Sequence, residues 1–150
     1  MPRIVRKADV VWQGSVARGA GTVMATSSEA FTLPFTLGSR VAAPDGKTSP
    51  EELLAAAHAG CFAMSLGSEL ARAGTPPEHL DVTCTITMDE VEGRGHQVIH
   101  SAIDATGVVP GCDEAAFAQA AEAADAGCPL SALIKASATV SVDATMGGSA

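Results

Sequence analysis

The sequence predicts an α+β domain, and three observations carry that expectation. Residues 48 to 74 read as one long helix that is apolar nearly all round. Residues 80 to 91 alternate apolar and polar side chains with a period of two, as a half-buried strand does. The remaining segments place short β-rich runs and two shorter helical stretches around these, in the order strands, long helix, two strands, two short helices, strand, which predicts a largely antiparallel sheet packed on helices. At 150 residues, 47% of them hydrophobic, the chain is expected to form a single domain over residues 1–150, with apolar material for a core or a core plus an interface.

Each element has a local reason. Residues 4 to 13 (IVRKADVVWQ) and 19 to 26 (GAGTVMAT) are rich in β-formers and flank GSVAR, which predicts a hairpin or meander. A third extended piece is expected over Phe35 to Val41, ending at Arg40 and its neighbour, before the turn sequence AAPDGKT. The long helix starts at Ser49 as N-cap, with Pro50 at its first position and Glu52 completing an S-x-x-E capping box, and it stops at Gly74 and Pro76. With Glu52 engaged at the cap, Glu51 points elsewhere and has no local task. The next strand puts Leu80, Val82, Cys84, Ile86 and Met88 on one face; Gly93 and Gly95 turn it back into residues 97 to 109. Asp113 stands as N-cap or first-turn acid of the second helix, which stops at Gly127, Cys128 occupies the N-cap of a third one opened by Pro129 and running to about Ile134, and a closing strand covers about 136 to 144. The final MGGSA reads as a frayed tail.

Composition excludes several functions. A net charge of −8 disfavours nucleic acid and anionic membrane surfaces, and 3% aromatic residues with no Tyr removes base-stacking platforms. A membrane span is not expected of the long helix, because His58 and Ser65 interrupt its apolar run and acids cap it. No secretory signal pattern is visible in MPRIVRKADVVWQG, so the expectation is a cytoplasmic protein whose four cysteines, Cys61, Cys84, Cys112 and Cys128, are buried thiols, ligands or catalytic groups and not structural disulfides.

An ordinary thiol near pKa 8.5 is only about 3% ionised at pH 7, whereas a pKa of about 6 would make it about 90% thiolate, a change of roughly 3.4 kcal/mol. Cys61 lies mid-helix in apolar surroundings, which push its pKa up, so it needs a cation. Arg40 is the first candidate, with Glu51 placed to hold its guanidinium bidentately; Arg18 is the second. Cys128 has the amides and dipole of a helix N-terminus, which rank it at least as reactive as Cys61. Cys84 and Cys112 lack activating neighbours. His58 precedes Cys61 by three positions and in principle shares its helix face, but no C-x-x-C or H-x-x-x-H spacing supports a metal site, and a buried His on an apolar face is more often a satisfied core residue.

The segments SPEELLAAAHAGCFAMSL and, about 65 residues later, GCPLSALIKA resemble the OsmC/Ohr family of thiol peroxidases, as do the early VARGAGTV and the closing ATVSVDA. The resemblance implies the OsmC-like fold: antiparallel sheets packed around a long central helix, in an intertwined homodimer with active sites at the subunit interface. It implies a reductase of organic hydroperoxides, and more weakly of hydrogen peroxide, with Cys61 as the peroxidatic and Cys128 as the resolving cysteine. Glu51 matches the acid that pairs with the catalytic arginine. That arginine matches Arg40 in the OsmC branch and Arg18 in the Ohr branch, and LGSRV with A-A-H-A-G-C is more similar to the former. No bound cofactor is implied; an external dithiol or lipoyl-type reductant must reopen the Cys61–Cys128 disulfide. Leu53, Leu54, Phe62 and Phe35 offer apolar walls suited to an alkyl hydroperoxide. Alternatives from other classes are a redox-sensing or small-ligand-binding protein of the same fold with negligible turnover, and a metal-binding module.

Overall fold

A computed structural model describes residues 1–147. Two compact units divide the chain, Met1–Leu53 and a second one from Leu54 onward. In the first, β1 (Asp9–Gln13), β2 (Ala20–Met24) and β3 (Thr32–Phe35) form an antiparallel sheet in that order. The register places Gly21 between Trp12 on β1 and Phe35 on β3. The two rings meet over the glycine with centroids 5.4 Å apart. A Cβ on Gly21 would lie 2.5 Å from Phe35 Cε1 and 2.7 Å from Trp12 Cε3, so only glycine lets the pair close.

The extended segment expected over Phe35 to Val41 is corrected: the strand ends at Phe35 and helix α1 (Leu37–Val41) follows. Thr36 is its N-cap. The Thr36 hydroxyl accepts from the Ser39 amide at 3.0 Å while the Ser39 hydroxyl accepts from the Thr36 amide at 3.0 Å. That reciprocal box satisfies two backbone donors, and the Ser39 hydroxyl also donates to the Thr48 carbonyl at 2.8 Å. These local hydrogen bonds outweigh the weak β tendency of FTLGSRV. Arg40 therefore stands in the last turn of a helix.

Helix α2 (Pro50–Arg72) begins in the first unit and continues through the second. Ser49 caps it, its hydroxyl accepting from the Glu52 amide at 3.2 Å. The Glu52 carboxylate, expected to complete a capping box at the Ser49 amide, instead accepts from the Thr48 hydroxyl at 2.8 Å. His58, Phe62, Leu66 and Leu70, spaced by four, form its buried stripe. Phe62, Leu66 and Leu70 pack into one core with Ile103, Phe117 and Ala121, which ties the helix to the second sheet and to helix α3. The helix is long and apolar enough to cross a membrane by length and composition, a property that a core helix shares. That stripe packs on protein, and Glu51, Glu52, Glu69 and Arg72 charge its ends.

In the second unit, β4 (His79–Val91) and β5 (Gly95–Val108) form a long antiparallel hairpin. Gly93 and Gly95, at φ 76° and 71°, supply the left-handed backbone of its turn. Leu80 to Met88 alternate as expected, the apolar set turned toward the core. Helix α3 (Glu114–Gly127) is capped by Asp113, whose carboxylate accepts from the Ala116 amide at 2.8 Å, and helix α4 (Pro129–Lys135) follows directly. They return the chain so that β6 (Thr139–Met146) joins β5 in parallel, the one departure from antiparallel pairing among the named strands. Of the tail expected to fray, Met146 belongs to β6, while residues 148–150 lie outside the described residues.

Candidate active site

The second unit holds a thiol pair. Cys128, the shared boundary of α3 and α4, is buried, and its sulfur lies 3.3 Å from that of Cys61 on α2, both residues being free thiols. That separation is close contact without a bond, since a disulfide spans about 2.05 Å. The placement follows from the chain: Pro129 starts α4 without needing an amide partner, so Cys128 becomes the N-cap and its sulfur accepts from the Ser131 amide at 3.5 Å.

The two thiols are shifted in opposite directions. Burial raises the Cys128 pKa, but the Ser131 amide, the contact with Cys61, the Ser131 hydroxyl and the Leu130 amide together bring it below its ordinary value. Burial raises the Cys61 pKa, and the Leu130 amide only partly opposes this while the neighbouring Cys128 adds to it. Anion-stabilising amides at the start of α4 thus make Cys128 the more acidic of the two thiols, in line with the ranking from helix-terminus physics. Cys84 is also raised by burial, against a weaker lowering from Ser101.

The first unit holds the ion pair. Arg40 donates to Glu51 through Nε at 2.9 Å and Nη2 at 2.6 Å. The expected bidentate fork is corrected in detail: both donors converge on Oε1, while Oε2 is buried without a hydrogen-bond partner. Arg18 sits exposed in the β1–β2 loop, and the acid meets Arg40 instead. Arg40 lines a cavity of about 190 Å³ with Trp12, Val16, Phe35, Leu37 and Pro50. Phe35 is therefore an apolar wall as expected, and Leu53 lines a neighbouring hollow with it. Phe62 is not a wall, because it is fully buried in the core of the second unit. Trp12, which sequence reasoning did not single out, forms part of the cavity; the signal available was its cross-strand register with Gly21.

His58 does not serve Cys61. Its ring is fully buried, with Nδ1 2.7 Å from the Ser101 hydroxyl and Nε2 2.8 Å from the Ser131 hydroxyl. Among the described residues no group of three or more His, Cys, Asp or Glu side chains gathers as a metal ion would require.

Two three-stranded sheets, a long helix crossing from one unit into the other and a cysteine pair joining mid-helix to helix cap define a fold shared with OsmC and Ohr proteins. An organic hydroperoxide resistance protein OsmC from Legionella pneumophila superposes with a TM-score of 0.74 at 17% identity, covering 95% of this chain and 99% of that one. An organic hydroperoxide resistance protein from Elizabethkingia anophelis gives 0.75 at 19% identity over 97% of this chain and 100% of that one. The family model described as OsmC-like protein matches residues 43–143, and peroxiredoxin OsmC of Escherichia coli (strain K12) is 36% identical over 137 residues, 91% of this chain and 94% of that protein. The chain belongs to the OsmC family.

Proposed function

We propose that the chain is a cysteine-based peroxidase that reduces organic hydroperoxides to alcohols and, more weakly, hydrogen peroxide to water. The observation that carries this reading is the pair of free thiols in contact at 3.3 Å, one at a helix N-cap. The Cys61 thiolate attacks the terminal peroxide oxygen, forming an S–O bond as the O–O bond breaks, and the departing alkoxide takes a proton to become the alcohol. The Cys128 thiolate then attacks the sulfur of the Cys61 sulfenic acid, forming the disulfide as hydroxide leaves and is protonated to water. An external dithiol, of lipoyl or similar type, takes the disulfide back to two thiols.

Amides favour charge on Cys128, so a first attack by Cys61 requires a cation, which Arg40 supplies in this reading, steadied by Glu51. A guanidinium facing Cys61 would favour its thiolate and polarise the peroxide. The same reading takes the active form as an intertwined homodimer with the sites at its interface. Val10 and Val11, neighbours on β1 that point to opposite faces, are 57% and 52% exposed, and Met64 on the outer side of α2 is 72% exposed. A second copy would cover them. Four free thiols fit a reducing compartment, so the cytoplasm is the proposed location.

Reduced protein mixed with excess cumene hydroperoxide and dihydrolipoamide should turn over many times, and Cys61→Ser should abolish consumption. One oxidation per subunit with no further turnover would replace the enzyme by a redox sensor. Sedimentation velocity should give a dimer, and a monomer at working concentration would remove the interface from the mechanism.

A further inference from the structure

Behind the thiol pair lies a buried row of polar side chains that the peroxidase chemistry does not use. Cys84 on β4 lies 3.2 Å from the Ser101 hydroxyl on β5, Ser101 is 2.7 Å from His58 Nδ1, and His58 Nε2 is 2.8 Å from the Ser131 hydroxyl. Ser131 meets Cys128 through its amide, 3.5 Å from the sulfur, and its side chain is among the groups that lower the Cys128 pKa. Ser101, His58 and Ser131 are all fully buried, so each hydrogen bond must be made within the row.

We propose that His58, in its Nε2–H tautomer, holds the Ser131 hydroxyl as a donor to the Cys128 sulfur, and that Ser101 selects this tautomer. Proton counting supports the assignment. Each serine hydroxyl has one proton and a neutral imidazole has one, so the bonds can run in only two directions. In one, Cys84 donates to Ser101, Ser101 to Nδ1, Nε2–H to Ser131 and Ser131 to a Cys128 thiolate. In the other, every bond reverses and Ser131 turns its proton to His58, leaving the sulfur with its amides alone.

Both ends favour the first direction. Cys84 keeps its proton, because burial raises its pKa, and presents it to Ser101. Cys128 sits at the amides of α4 and accepts. The imidazole stays neutral, since burial lowers its pKa; the opposed fields of Asp125 on α3, raising it, and Lys135 on α4, lowering it, are smaller. Cys84 and Ser101 are the groups facing it from the sheet, and Ser131 the group facing it from α4. His58 and Ser101 touch neither reacting sulfur through their side chains in this row; they act through Ser131 as positioning residues. The kinetic consequence, faster disulfide formation, rests on the peroxidase reading, whereas the tautomer and the Cys128 titration do not.

The test begins on reduced protein without peroxide. Nitrogen-15 shifts of His58 should report a neutral Nε2–H ring at pH 7 to 8, and labelled-cysteine carbon-13 titration should follow the Cys128 thiolate directly. Ser101→Ala should release the tautomer and cut the Cys128 thiolate fraction at pH 7 about tenfold, although Ser101 makes no contact with that sulfur. His58→Gln, which keeps a donor toward Ser131, should lie closer to wild type than His58→Leu. An Nδ1–H ring in the wild type, or a Cys128 titration unmoved by Ser101→Ala, would overturn the proposal even with peroxidase activity intact. In stopped flow with cumene hydroperoxide, Ser101→Ala should slow disulfide formation about tenfold without slowing sulfenic acid formation; equal slowing of both steps would reduce His58 to a packing role. Absence of any peroxide consumption by the wild type would refute the peroxidase reading, not the tautomer.

Discussion

At the scale of single residues, the protein separates two electrostatic tasks between two cysteines. Cys128 draws on fixed amides at the start of α4, so its thiolate is stabilised wherever that helix forms. Cys61 has burial against it, and in the proposed mechanism it relies on the Arg40 guanidinium. Cys128→Ser should therefore still consume one equivalent of peroxide and then stall, with a Cys61 sulfenic acid that dimedone traps and mass spectrometry counts; a disulfide in that variant would mean that Cys84 or Cys112 resolves instead. Arg40→Ala should lower the second-order rate with cumene hydroperoxide by tenfold or more while Arg18→Ala leaves it near wild type. The reverse ranking would give the catalytic role to the loop arginine. The pairing of Glu51 with Arg40 was readable in the sequence because Glu52 was committed to the helix start, though its carboxylate turns to Thr48 and not to the cap amide.

At the scale of elements, capping chemistry was legible and the end of the third strand was not. Ser49, Asp113 and Cys128 sit at the helix starts their side chains predict. Thr36 and Ser39 form the same kind of box, yet FTLGSRV reads as extended because its apolar residues give no clear period over so short a span. The consequence is functional: a strand would have alternated Arg40 across a sheet, whereas the last turn of α1 brings it to Glu51 and to the cavity below Trp12. Gly21 lets Trp12 and Phe35, two walls of that cavity, close on each other. Gly21→Ala should cost about 1–3 kcal/mol in denaturant unfolding, because the new methyl overpacks the Trp12–Phe35 contact. It should also shift the fluorescence of the single tryptophan. An unchanged midpoint and spectrum would show that the rings have room to part.

At the scale of the whole molecule, His58 links stability to pH. Its folded pKa lies below the ordinary 6.5 because burial penalises the charged ring. The unfolded chain thus binds a proton that the native state refuses, so this contribution is complete above about pH 6.5 and is lost as pH falls through the lowered native value. The slope approaches at most about 1.4 kcal/mol per pH unit for one proton. Stability curves of reduced wild type and His58→Gln should therefore converge as the solution is acidified below pH 6.5; parallel curves would mean that the buried ring is protonated in the native state. The outer side of α2 belongs to this scale too. The helix was expected to be apolar nearly all round, and among the described residues the part of it buried within the chain is its stripe from His58 to Leu70.

The sequence by itself determined the α+β order of elements, the caps that start the helices, the alternation of β4 and the cysteines that carry the family resemblance, because these depend on periods and hydrogen bonds within a few residues. Tertiary structure alone decided what meets across long separations: Cys128 against Cys61 across 67 positions, Ser101 and Ser131 against His58 across 43 and 73, and Trp12 against Phe35 over a glycine. Local pattern holds no record of such meetings, since the side chain that satisfies a buried nitrogen or sulfur is chosen by how strands and helices stack and not by its neighbours in the chain.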